Sequence, residues 1–181
     1  MSDQMRKGDW MQTASGGVFW PMDPRPSEVR IEDIAHSLAN MCRYAGHCRE
    51  FYSVAQHSVI VSMHVPAGDA LWGLMHDASE AYLVDVPKPV KRFLAGYQEI
   101  EFAVMRAVSR AFGLPEEMPQ SVKRADAAIL ADEAAHLMGP TPRPWGLTVP
   151  PLGVRIDPLP PIDARRLFLD RFTTLTAEAS E

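Results

Sequence analysis

Sixteen prolines divide this chain of 181 residues, and between the clusters they form, apolar residues recur at helical spacing. A proline locks φ and removes a backbone donor, so a helix has to stop where prolines gather. Ile31, Ile34, Ala35, Leu38 and Met41 make one such stripe and predict a helix from Ile31 to about Tyr44. The same reasoning predicts helices from Ser53 to His64 and from Asp69 to Leu83, the latter stopped by Val86-Pro87. Two more run from Gln98 to Phe112, ended by Gly113 and Pro115, and from Gln120 to Met138, closed by Gly139-Pro140. The last extends from Ile162 to about Thr174.

Ahead of these, Trp10 to Trp20 places Ser15-Gly16-Gly17 between apolar flanks, the pattern of a small β-hairpin. Pro21, Pro24 and Pro26 rule out regular structure just after it. Pro140 to Pro161 is proline-rich loop, yet Trp145, Leu147, Val149, Leu152 and Ile156 make it too apolar for a free linker, so it is expected to pack over the helical body. The expected fold is all-α and a single domain, 1–181. Its parts are an N-terminal arm with the hairpin (1–30), a helical core (31–138), and the loop with the C-terminal helix (139–181).

A hydrophobic share of 46% and a charged share of 23% are those of an ordinary globular protein. The net charge of −5 argues against a surface that coats nucleic acid and leaves room for a local basic pocket. Cys42 and Cys48 are the only cysteines, too few for a zinc knuckle. With no secretory signal and no long apolar run, a cytoplasmic chain with two reduced thiols and no membrane partner is expected.

The run from His76 to Lys91, HDASEAYLVDVPKPVK, carries the chemistry. Six His and twelve Asp would give about 0.4 His-Asp pairs by chance, so the pair alone says little and the combination says much. His76 and Asp77 leave a helix about 100° apart, so one cation can take an imidazole nitrogen and a carboxylate oxygen together. Glu80 lies one turn on, within reach of a water on that cation. Lys88 and Lys91 place cations where an anionic substrate could be held. His57 and Asp126, in two other predicted helices, would complete a set of two imidazoles and two carboxylates suited to Mn, Fe, Co, Ni or Zn as one divalent cation. Spacing alone leaves His57 either a ligand or a core histidine bonded to a backbone carbonyl. Asp126 lies among Ala125, Ala127 and Ala128, a small-residue face on which a buried carboxylate needs a metal or an arginine.

The ordered set of His57, His76-Asp77 and Asp126 resembles the H…HD…D signature of the HD-domain metal-dependent phosphohydrolases. The His76–Lys91 run is similar to the branch of small all-helical 5′-deoxynucleotidases, as are Gln56-His57-Ser58, Lys123-Arg124-Ala125-Asp126 and Arg43-Tyr44. The likeness spans about Arg43 to Leu130, about half the chain. Phe19-Trp20-Pro21-Met22-Asp23-Pro24 and the loop after Gly139 depart from it, and look more like a bacterial and phage subgroup that includes deoxyadenosine triphosphate triphosphohydrolases.

The resemblance implies a bundle of about six to seven helices and hydrolysis of nucleoside 5′-phosphates by a metal-activated water, with His57, His76, Asp77 and Asp126 as ligands. It implies Glu80 as general base or acid and Asp85 as a second acidic group. Triphosphate hydrolysis and a nucleotide-binding regulatory module with weak turnover are the alternatives. Arg43, expected at the mouth of the site, suits a bidentate grip on phosphate. Lys88, Lys91 and Arg92 are weaker candidates, and His47 could reach phosphate or sugar. Trp20 and Tyr44 offer faces for a nucleobase, Trp20 being equally suited to anchor the N-terminal arm. The expected partners are a nucleotide, with no stable nucleic acid, and further copies of the chain in a homodimer or higher homo-oligomer.

Overall fold

The computed structural model describes residues 6–178, and their architecture is all-α with a two-stranded hairpin at the start. Strand β1 (Met11–Gln12) pairs antiparallel with β2 (Val18–Phe19) around the predicted Ser15-Gly16-Gly17 turn. Asp33 fixes that turn to the first helix, accepting from the Ser15 N–H at 2.6 Å and its Oγ at 2.9 Å. Phe19 then stacks on Tyr82 with ring centroids 3.7 Å apart.

Eight helices follow: α1 (Ile31–Asn40), α2 (Val54–Met63), α3 (Ala70–Met75), α4 (Glu80–Leu83), α5 (Lys88–Lys91), α6 (Tyr97–Ala111), α7 (Gln120–Leu137) and α8 (Pro161–Glu178). Helix α2 is buried on nearly every face and sits at the centre, packed by α1, α3, α7 and α8. A helix buried on all sides needs neighbours on all sides. Ser53 caps it, its side chain accepting from the Gln56 N–H at 3.1 Å. One apolar cluster joins α1, α2, α3, α6 and α8 through Leu38, Val59, Leu74, Val108 and Phe168, and a second gathers Trp72, Val122, Ile129 and Ile156 on the α7 side. None of the described helices is long and apolar enough to cross a membrane.

Three local departures from the expected helices matter for the site. Helix α1 stops at Asn40, four residues early, because the chain at Cys42 becomes extended and bridges Ser53. The Arg43 N–H donates to Tyr52 O at 2.9 Å and the Val54 N–H to Met41 O at 3.0 Å. Just past the inner rung Tyr44 (φ 55°), Ala45 (φ 52°) and Gly46 (φ 81°) turn left-handed in succession, a conformation that strains the two non-glycine residues.

The predicted helix Asp69–Leu83 is two helices with a tightened turn at 76–79, where N–H groups reach back three residues rather than four. The His76 ring takes the Gly73 carbonyl at 2.8 Å, the acceptor that the Asp77 N–H would use in a continuous α-helix. Finally α5 forms where none was expected, with Pro89 tolerated in its first turn.

Only the second part of the proline-rich stretch packs on the body: Ile156 is buried and 152–159 is tied down, whereas 140–148, with Trp145 and Leu147, is exposed. The Asp132 carboxylate accepts from the successive N–H groups of Leu152, Gly153 and Val154 at 2.8 to 3.2 Å. The Gln56 amide donates to Asp157 O and accepts from the Leu159 N–H, which ties the same segment to α2.

Candidate metal centre

Helix α3 approaches α2 through Gly73: a Cβ there would stand 2.9 Å from Ser62 Cα. One turn later His76 therefore faces His57, with their Nε2 atoms 3.2 Å apart. Asp126, on the buried side of α7, brings Oδ1 to 3.3 Å from His57 Nε2 and 3.9 Å from His76 Nε2. Ligand atoms of His57, His76 and Asp126 all lie within 4.8 Å of one another, a group that could hold a metal ion. Asp77 stands outside this tightest group. Its Oδ2 is 3.2 Å from His76 Nε2 and 3.7 Å from His57 Nε2, but also 3.6 Å from Arg43 Nη1, which pulls it to one side.

The donor set passes a chemical test for a cation. His57 Nδ1 lies 2.7 Å from the Glu133 carboxylate and His76 Nδ1 lies 2.8 Å from the Gly73 carbonyl. Each Nδ1 therefore carries its proton toward an oxygen, which leaves both Nε2 lone pairs pointed at each other and at two carboxylates. Four electron-pair donors at one point repel unless something positive lies among them. Ligands about 2.1 Å from one ion and 90–110° apart are about 3.0–3.4 Å from each other, close to these spacings. Protons compete for the same place. Burial lowers the His76 imidazole, but the Asp77 charge and hydrogen bond, with help from Asp126, outweigh it and raise it to about 9. Burial likewise works against Asp126, yet its bond to His57 and the His76 charge hold it down at about 2.

Glu133 is the functional residue that the sequence reading missed. It is fully buried, seven residues after Asp126 on the same face of α7. It takes His57 Nδ1, the Tyr44 hydroxyl and Arg43 Nη2, the last at 3.2 Å. Burial alone would raise its carboxyl, but Arg43 and His57 bring it down to about 2. The seven-residue spacing, with Ile129 between, was the available signal.

Arg43 is thus not at the mouth. The left-handed turn and the rung to Tyr52 fold it inward, where it is buried between Glu133 and Asp77, with Nε lacking a partner. It is a counter-ion to Asp77 and Glu133 rather than a free fork for phosphate. Tyr44 joins the same network and lies 5.6 Å, centroid to centroid, from Trp145 of the proline-rich loop.

Glu80, at the start of α4, is buried with Oε2 unpartnered. Burial, then the Asp77 and Asp85 carboxylates, lift its ionisation well above the usual carboxylate range. Asp85 is half-buried and also raised, burial outweighing Arg43. Between them Val84 takes φ 66° and ψ 157°, a conformation that essentially only glycine adopts freely.

The other expected contacts scatter. Lys91 is ion-paired with Glu101 and lies over the Tyr97 ring. Lys88 is exposed without an ion pair among the described residues, and Arg92 lies over Phe93. His47 is exposed on the turn after Tyr44. Trp20 is buried under the Arg6 guanidinium, 5.0 Å from its ring, which makes it the anchor of the arm and not an open face for a base.

The chain is 39% identical to the protein YfdR of Escherichia coli (strain K12) over 170 residues, which cover 92% of this chain and 96% of that one. It belongs to the YfdR family. The Rhodobacter capsulatus protein RCAP_rcc00048 is 34% identical, the match covering 96% of this chain and 99% of the relative. Neither name carries an activity. No family model matches the chain.

Proposed function

We propose that this protein is a metal-dependent phosphohydrolase acting on nucleoside 5′-phosphates, in the manner of the HD-domain enzymes its motifs resemble. The observation that carries the reading is the meeting of the His57 and His76 Nε2 atoms with carboxylate oxygens of Asp126 and Asp77 at 3.2–3.9 Å. A divalent cation bound there would supply Lewis acidity to a phosphoryl oxygen and lower the pKa of a water in the site.

In this reading Asp77 is the fourth ligand, and Arg43 and Glu133 hold the ligand side chains in place from behind. Glu80 is the proton carrier. A carboxyl lifted out of its usual range, with one oxygen unpartnered, suits taking a proton from water and passing it to the leaving oxygen. Asp85, on the far side of the strained Val84, would steady the water or the leaving group.

A panel of deoxy- and ribonucleoside mono- and triphosphates with Mn²⁺, Co²⁺ and Mg²⁺, with products separated by chromatography, tests this. Orthophosphate released from monophosphates is the expected result. Tripolyphosphate would make the protein a triphosphohydrolase, and binding without any product would leave a nucleotide-binding module and sink the enzyme.

A further inference from the structure

We infer that the cavity running from His76 and Asp77 along α6 receives the nucleobase of the substrate, with Phe102 as its stacking face. This rests on the phosphohydrolase reading above, which places the phosphate at the metal centre and requires the rest of the substrate to lie in a space that begins there. A cavity of about 740 Å³ begins there: His76, Asp77 and Ser79 form one end, and α6 with the Glu116–Met118 loop forms the walls. The cavities behind the hairpin and beneath Trp145 touch none of the metal-centre residues.

The wall along α6 is unusual in leaving an aromatic side chain unburied. Phe102 is 75% exposed, although the opposite face of its helix, with Val104, Ala107 and Val108, is core. Met105 and Arg106, three and four residues on, continue the same wall, and Met118 stands in the facing loop. The facing loop is held by Trp72, whose indole N–H donates to Pro115 O at 3.1 Å. Two apolar surfaces on fixed supports, one of them aromatic, make a slot for a flat ring, and base-aromatic stacking tolerates any base.

Charge decides which end of a nucleotide lies here. Lys91 is paired with Glu101, and Arg106 is 3.9 Å from Glu116. Lys123 makes no ion pair among the described residues, and it precedes Asp126 by one helical turn, at the metal end. A phosphate chain extended along α6 would meet paired charges and the bare Glu117. A neutral ring would meet Phe102 and two methionines, with its phosphate left near Lys123 and the metal.

Equilibrium binding of deoxyadenosine 5′-monophosphate and of 2-deoxyribose 5-phosphate, both with Mn²⁺, tests the slot in a Glu80→Gln background that keeps the ligand from turning over. Adding Phe102→Ala should lower the affinity ratio of nucleotide to sugar phosphate by about tenfold, as loss of one stacking face predicts, and Phe102→Tyr should restore it. An unchanged ratio in both Phe102→Ala and Phe102→Asp would overturn the assignment, as would a protein that binds the nucleotide no better than the sugar phosphate. Absence of hydrolysis of any nucleotide by the otherwise unaltered protein would instead remove the phosphohydrolase reading, and the binding ratio would still judge the slot.

Discussion

Glu133 and Glu80 are both buried beside the candidate metal centre, Glu133 against His57 and Glu80 near Asp77, and they are driven in opposite directions. Glu133, on α7, accepts from His57, Arg43 and Tyr44, and its carboxyl is brought down to about 2. Glu80, on α4, has an oxygen with no partner and two carboxylates for neighbours, and its ionisation is raised. Burial opposes charge equally at both places, so the partners decide. On the α7 side the polar groups fix positions. On the α4 side burial and neighbouring carboxylates make Glu80 and Asp85 hold protons more readily than usual, and the backbone between them is strained at Val84. In the proposed function, the ordered side would support the ligands, and the Glu80 side is where a proton would move.

The sharpest test removes the centre that both sides serve. Purified without chelator, the protein should carry about one transition-metal ion per chain, and a His76→Ala/Asp77→Ala variant should carry almost none by elemental analysis and lose at least about 10³-fold in turnover. The metal-free protein should also melt at a lower temperature, since the cation binds only the folded state and ties α2, the 76–79 turn and α7 together. Undiminished metal in the double variant would dissolve the comparison altogether.

Glu80→Ala should then keep its metal and bind nucleotide nearly as before, yet lose about 10²–10⁴-fold in turnover. Wild-type turnover would shift the proton to Asp85. Glu133→Gln should show the reverse pattern. It removes the charge behind His57 without touching Glu80 or Asp85, so metal affinity should fall about 10–100-fold while turnover at saturating metal is largely retained. If the two variants lose the same quantity, the two glutamates do not differ in kind.

Protons sharpen the contrast further. Below about pH 9 the His76 imidazole carries a proton that a metal has to displace. Apparent metal affinity should therefore rise by about tenfold per pH unit up to that point and level off above it, which calorimetric titration across pH can read. The smallest effect belongs to the strained link. Val84→Gly removes a side chain from a backbone position unfavourable to it, worth about 1–3 kcal/mol, against about 0.5–1 kcal/mol of added chain entropy. The net should raise the melting temperature by about 2–4 °C. A lower melting temperature would mean that Val84 is held by packing and stores no strain.

Proline spacing and apolar stripes made the helical body, the hairpin and the packed second part of the loop legible, because those features follow from local patterns repeated over many residues. The details that shape the site were not, because each depends on one atom meeting a distant one. The break at His76 arises when a side chain takes a backbone carbonyl. The inward fold of Arg43 arises from its rung to Tyr52 and from left-handed Tyr44 and Ala45, residues with no general preference for that conformation. The convergence of His57, His76 and Asp126 was expected from a motif, and Gly73 provides the close helix contact that allows it. Glu133 lay two turns beyond Asp126, and only the geometry of His57 Nδ1 gives that spacing meaning.

The anchored half of the proline-rich stretch has a consequence for how such a chain can vary. Asp132 and Gln56 grip positions 152–159, whereas 140–148 is open to solvent throughout. Residues can be gained or lost in that outer arc while the clamp stays shut, since a longer surface loop is entropically inexpensive. A change of length or composition in that arc would alter what it touches beside Tyr44 and leave the helices that carry His57 and Asp126 as they are.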